Sequence, residues 1–283
     1  MSKQPTKKDD EESGAVVSMS GSLPAHLSAE LAEYAGAGVS DRTEDFTTPF
    51  LTIAQSSSPQ LKRQEASYIQ GMEQGDIFNS ATGEFWRGSE GVLVIQWWFQ
   101  KAMVEWIPRV LGGGYVATHD IDTPLLKEFR WTDDKDPRGR MLLSRDEKTQ
   151  LVDTSYHFVT LAETGESAVV SMTVTSLGCS RTWQTLMKRI KLPTPNGLVN
   201  APSFARVYRL KTAYKSMEKG DFYVWTVSDA GWAAGTAEYG AAYELARKQF
   251  VHAREHGVTM GRPPDAADAS SEAGTTIDGE VPI

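Results

Sequence analysis

The stretch Arg206-Val207-Tyr208-Arg209-Leu210-Lys211-Thr212-Ala213-Tyr214-Lys215 decides how the chain folds. It has no helical period. Read as a strand, it sends Val207, Arg209, Lys211 and Lys215 to one face and Arg206, Tyr208, Leu210 and Tyr214 to the other. Phe222 to Val227 follows across Glu218-Lys219-Gly220-Asp221, a turn sequence, so the two runs pair as a hairpin.

Working outward, similar runs rich in β-branched and aromatic residues occupy Val92 to Phe99, Ala102 to Ile107, Leu151 to Leu161 and Ala168 to Thr175. Thr164-Gly165-Glu166 joins the last two, and Gly112-Gly113-Gly114 makes a flexible turn. Trp131 to Lys148 reads as a surface loop. One helix interrupts the series: in Ser180 to Lys191, Trp183, Leu186, Met187 and Ile190 recur at i, i+3, i+4 and i+7, a stripe suited to plugging a core. A second helix, about Ala237 to His256, carries Tyr239, Tyr243, Ala246 and Phe250 on one face and stops at Gly257. The fold class expected is mainly β with flanking helices.

This divides the chain. Residues 1–22 are a polar arm, and 23–44 hold a short helix around Leu27, Leu31 and Tyr34 with a linker. Residues 45–257 form the main domain, its β core running to about 233, and 258–283 form a disordered acidic tail.

The formal net charge is −8, which argues at first against a polyanionic partner. The distribution reverses that. Between Arg181 and Lys219 there are nine basic residues and one acid, Glu218, a local charge of +8 that leaves −16 for the remainder. Rings are interleaved with this block. A cationic groove for a nucleic-acid backbone, with exposed rings on which bases stack, is what single-strand binding needs. The candidate contacts are Lys188, Arg189, Lys191, Arg206, Arg209, Lys211 and Lys215 for the backbone, and Trp98, Tyr208, Tyr214 and Trp225 for stacking. In Trp97-Trp98-Phe99, strict alternation turns Trp98 away from its two neighbours.

The chain finishes in Ile277-Asp278-Gly279-Glu280-Val281-Pro282-Ile283 after the acids Asp265, Asp268 and Glu272. This resembles the tip of bacterial-type single-stranded DNA-binding proteins, in which acids precede an aliphatic residue, a proline and a terminal phenylalanine that partner proteins capture. The resemblance implies that Asp278, Glu280, Val281, Pro282 and Ile283 recruit replication or recombination proteins, with Ile283 in place of phenylalanine and Gly279 breaking the acids. Three strand regions, a helix and two more strands are similar to an OB-fold, the usual single-strand-binding barrel. Pro49-Phe50-Leu51, Ser58-Pro59-Gln60 and Gly75-Asp76-Ile77 resemble bacteriophage early-replication proteins. The function these resemblances imply is sequence-independent single-stranded DNA binding in replication, recombination or repair. A strand-annealing protein and a non-catalytic phage assembly protein are the alternatives, and self-association stays open.

No enzyme is expected. His252-Ala253-Arg254-Glu255-His256 fits the H-x-x-E-H pattern of inverted zinc peptidases, but only 27 residues follow to supply a third ligand. There is no G-x-x-x-x-G-K-[ST] loop and no G-x-S-x-G elbow. No cofactor and no metal are expected. With the single cysteine Cys179, no polar-to-apolar leader and no run near the roughly 18 apolar residues of a membrane span, the expected setting is the host cytoplasm, away from membranes.

Overall fold

The computed structural model describes residues 47–131, 141–217 and 220–258, together with residues 27, 30, 31, 33, 34, 37 and 38. The chain divides into two units, Met1–Asp45 and Phe46–Ile283. In the first, Leu27, Glu30 and Leu31 are helical, and a turn closes with Ala37 N–H donating to Tyr34 O at 2.9 Å. The N-terminal arm and the acidic tail lie outside the described residues.

The second unit contains β1 (Phe50–Ile53), β2 (Ile77–Asn79), β3 (Phe85–Trp86), β4 (Val92–Trp106), β5 (Tyr115–Asp120), β6 (Phe129–Trp131), β7 (Met141–Ser144), β8 (Gln150–Leu161) and β9 (Ser167–Thr173). It continues with α1 (Leu177–Arg189), β10 (Lys191–Thr194), β11 (Gly197–Asn200), β12 (Arg206–Met217), β13 (Gly220–Trp232) and α2 (Gly240–His256). The architecture is mainly β, a curled half-barrel sheet with two helices.

Eleven strands join in one sheet with the order β13-β12-β4-β8-β9-β1-β2-β3, while β5 extends from β4, and β7 and β6 extend from β8. Pairing is antiparallel along this path except between β9 and β1, which run parallel. β10 and β11 form a separate exposed ribbon, which sequence patterning did not predict; Pro193 and the exposed Leu198 and Val199 give it no alternation toward a core. Part of the expected loop at 131–148 is also strand, since β7 pairs with β8 through Leu142 and Leu151.

β4 is one strand where patterning predicts two. Gln100 and Lys101, the polar break in its middle, pair with Tyr156 and Ser155 of β8, so the ladder carries through them. What changes in β4 is its phase. The register with β8 steps from Gln96↔Val159 to Trp98↔Phe158, so Trp97 is the extra residue of a β-bulge. Before it, Leu93, Ile95 and Trp97 pack in the cluster beneath α2; after it, Trp98, Ala102, Val104 and Trp106 do. Trp97 and Trp98 therefore share a side of the sheet, which corrects the alternation expected for this triplet.

The opposite side holds a second core. Leu51, Ile53, Val92, Val94, Val159, Leu161, Val170 and Met172 enclose Trp183 and Met187 of α1. Trp183 is fully buried, so α1 acts as the plug its stripe predicts, at roughly 1.5–3 kcal/mol for each large apolar side chain taken from water. The strand Arg206 to Lys215 alternates as expected across this core, with Tyr208 and Leu210 inside. Gly91 lets the loop before β4 lie on β12: at φ +77°, an added Cβ would meet Leu210 O at 2.1 Å.

Candidate functional site

The side of α1 that does not face the core lies over β4 and β8, and two cavities open there. The first, about 310 Å³, is walled by Trp98, Phe99, Met187 and Phe250, with Gln184 and Lys188 at its edge. The second, about 350 Å³, is lined by Lys101, Asp153, Arg181 and Thr185 and by the same Phe99, Gln184 and Lys188. The shared residues make the two cavities neighbours in one groove.

Local sequence explains the groove's chemistry. Arg181, Gln184, Thr185 and Lys188 fall at i, i+3, i+4 and i+7, the complement of the buried stripe through Trp183 and Met187. Arg181 and Lys188 are thus about 10.5 Å apart along the helix axis. On the sheet side, the bulge at Trp97 turns Phe99 and Lys101 toward α1 and Trp98 toward α2, where Trp98 meets Phe250 at 6.0 Å between ring centroids. Lys101 Nζ pairs with Asp153 Oδ1 at 3.0 Å across β4 and β8. Among the described residues no carboxylate pairs with Arg181, Lys188, Arg189, Lys211 or Lys215.

A buried polar network anchors α1 below the groove. His157 Nδ1 and Gln96 Oε1 are 2.6 Å apart, and His157 Nε2 lies 2.9 Å from Ser180 Oγ. With a neutral ring, Nδ1–H donates to Gln96, and Nε2 accepts from the Ser180 hydroxyl. Trp183 stacks on the imidazole at 4.4 Å and 9°. Burial pulls the His157 pKa down from 6.5 to about 3, so it is uncharged at neutral pH and a weak base. The arrangement has the outline of a serine–histidine relay. Ser180 is 3% exposed and His157 fully buried, so it serves as a lock between helix and sheet.

Residues 14–258 match the family of Pam3 phage gp34-like proteins. The chain belongs to that family. The match runs from before the N-terminal unit's helical turn through α2, which covers every residue of the groove, and it accords with the bacteriophage setting expected from sequence. No curated protein and no solved structure matches the chain.

In this gp34-like protein, Trp98 and Lys188 come together in the first cavity. Arg189 is exposed in the last turn of α1, and Lys191, at the start of β10, hydrogen-bonds to Asn200 Oδ1. Arg206 is committed elsewhere, paired with Asp229 and lying over the Trp232 ring at 4.6 Å. Arg209 donates to Glu90 O at 3.1 Å, and Lys211 is half-buried beside it on β12. Tyr214 and Lys215 are exposed near the end of the β12–β13 hairpin, where Tyr214 meets Tyr223 edge-on at 5.6 Å and its hydroxyl bonds to Asp221, which pushes the phenol pKa up. Tyr208 and Trp225 are core residues, 1% and 3% exposed. Neither ring has a face open to a base, which corrects the expectation of stacking from them. Asp278, Glu280, Val281, Pro282 and Ile283 lie outside the described residues.

Lys101, Asp153, Phe99, Gln184 and Phe250 were not among the predicted contacts. Their signal is long-range: Lys101 and Asp153 are 52 residues apart, and only the β4–β8 register joins them. Among the described residues no helix is long and apolar enough to cross a membrane, and no group of three His, Cys, Asp or Glu side chains could hold a metal ion. His252 and His256 are exposed on α2, their rings 4.7 Å apart.

Proposed function

We propose that this protein binds single-stranded DNA without sequence preference, in phage replication, recombination or repair, using the groove beside α1 and the end of the β12–β13 hairpin. One observation carries the reading: Lys188 and Phe99 belong to both cavities, so a ring-lined pocket and a cationic pocket adjoin. A single strand needs both, with each base–ring stack contributing about 1–3 kcal/mol and each phosphate contact releasing counterions. A duplex keeps its bases stacked inside and cannot use the first pocket.

The connectivity supports an OB-like barrel. β4, β8, β9, α1, β12 and β13 come in this chain order, with β5, β6 and β7 inserted after β4 and the β10–β11 ribbon after α1, and β4 lies between β8 and β12, which is similar to three strands, a helix and two strands. In that comparison β8 is the second strand, and the β12–β13 turn is the fourth–fifth strand loop. Those are the parts through which OB-folds hold oligonucleotides. Asp153 and Ser155 of β8 line the second cavity, and Tyr214 and Lys215 flank that turn. The tail ending Asp278 to Ile283 recruits partner replication or recombination proteins on this reading, by its resemblance to the acidic tip of bacterial single-stranded DNA-binding proteins.

Titration of tryptophan fluorescence with oligo-dT and with a matching duplex, across a salt series, tests the proposal. The expected result is salt-sensitive quenching by the single strand and little by the duplex. No binding at low salt would overturn it and favour a phage assembly protein. Rings or filaments on DNA, with faster pairing of complementary strands, would move it to strand annealing.

A further inference from the structure

The two compartments of the groove differ in chemistry. Trp98, Phe99 and Phe250 give the first its ring walls, whereas Lys101, Arg181 and Lys188 give the second three cations against one acid, Asp153. We infer that the pair takes one nucleotide unit, the base in the first compartment and its phosphate in the second, and that Asp153 is the internal counter-ion the phosphate displaces from Lys101. This rests on the proposed single-strand binding and assigns its parts.

The argument is one of charge and distance. Asp153 holds Lys101 at 3.0 and 3.1 Å through its two carboxylate oxygens, with the Asp153 side chain 19% exposed and that of Lys101 41%. A phosphate oxygen offers an ammonium the same charge-assisted bond. Arg181 and Lys188, without carboxylate partners among the described residues, keep the compartment net positive even with Asp153 in place. The carboxylate then repels the incoming phosphate while it occupies Lys101. Asp153 therefore opposes binding, and removing its charge has the reverse effect of removing any cation. A merely structural salt bridge has no such signature: loss of either partner would act in the same direction.

The test uses the full chain and fluorescein-labelled oligo-dT, read by anisotropy, with thymidine 5′-monophosphate, thymidine and inorganic phosphate as competitors. Asp153→Asn should tighten strand binding by about two- to fivefold at low salt, the reach of one partly exposed charge pair. Lys101→Met should weaken it by a similar factor. Thymidine monophosphate should compete better than thymidine or phosphate alone if the free nucleotide is also a ligand. If only strands compete, and Asp153→Asn still tightens them, the unit is taken as part of a polymer. Weaker or unchanged strand binding by Asp153→Asn, or competition by both thymidine and its monophosphate with equal strength, overturns the inference while leaving single-strand binding standing. Absence of any strand binding overturns the proposed function itself.

Discussion

The Gln55 side chain stands opposite Tyr223 as a backbone rung would: Gln55 Nε2–H donates to Tyr223 O at 2.8 Å, and Tyr223 N–H donates to Gln55 Oε1 at 2.9 Å. Gln55 follows β1 and Tyr223 lies in β13, strands with four others between them in the sheet order, so one amide ties the curl together where no ladder does. Gln55→Leu keeps the volume and removes both bonds, leaving a strand N–H and C=O unpaired. The expected loss is about 1–3 kcal/mol of stability, read as a lower denaturant midpoint with an unchanged slope.

The second prediction concerns acid stability. The folded-state pKa of His157 is depressed to about 3 from 6.5, so the unfolded chain takes up the proton first. The contribution is complete above pH 6.5 and is lost as pH falls toward 3, at up to roughly 1.4 kcal/mol per pH unit. His157→Gln should be less stable at neutral pH but show a shallower decline over that window in paired urea melts. Parallel declines in both proteins would reject this.

Glu84 has the opposite sign. Desolvation first, then the nearby charges of Glu166 and Glu163, raise its pKa above 4.5, so its carboxylate is disfavoured by the fold once ionised. Glu84→Gln should raise the melting temperature at neutral pH by less than about 2 °C after solvent screening, and the gain should vanish below the ordinary carboxylate pKa, where the acid is protonated folded and unfolded.

Within the groove, Lys188→Ala should weaken oligo-dT binding and reduce the slope of log affinity on log salt by about 0.7, the contribution of one phosphate contact on a single strand. Trp98→Leu should cost about 1–3 kcal/mol of binding with the slope preserved, since a ring contributes stacking and no charge. Lys248→Ala, exposed on α2 and outside both cavities, is the control expected to bind as the parent does.

The fold was legible where periodicity governs it. The stripe of Trp183 and Met187 placed α1 against a core, and the alternation of Tyr208 and Leu210 placed β12. It was illegible where pairing partners decide: β10 and β11 carry no apolar alternation, and the polar Gln100-Lys101 pair reads as a break until β8 is laid beside it. The candidate site divided in the same way. Lys188 follows from helical spacing, while Lys101 and Asp153 needed the register of two distant strands. Tyr208 and Trp225 read as platforms in the sequence because they sit among cations, but large rings more often fill the interior, and here Tyr208 meets Trp183 edge-on at 5.7 Å.

The bulge at Trp97 works as a phase shifter. With Trp97 in the strand, every residue of β4 beyond it owes its side of the sheet to the bulge that takes up this one position, with no glycine to announce it. Straightening the bulge with Trp97 kept in the strand would exchange the two sides for the rest of it, turning Phe99 and Lys101 under α2 and bringing Trp98 and Ala102 beneath α1, whereas deleting Trp97 would remove the bulge and leave each of them on its present side. The groove thus depends on a backbone irregularity as much as on the residues that line it, and a homologue one residue shorter at this point would present the same sides from an unbulged strand.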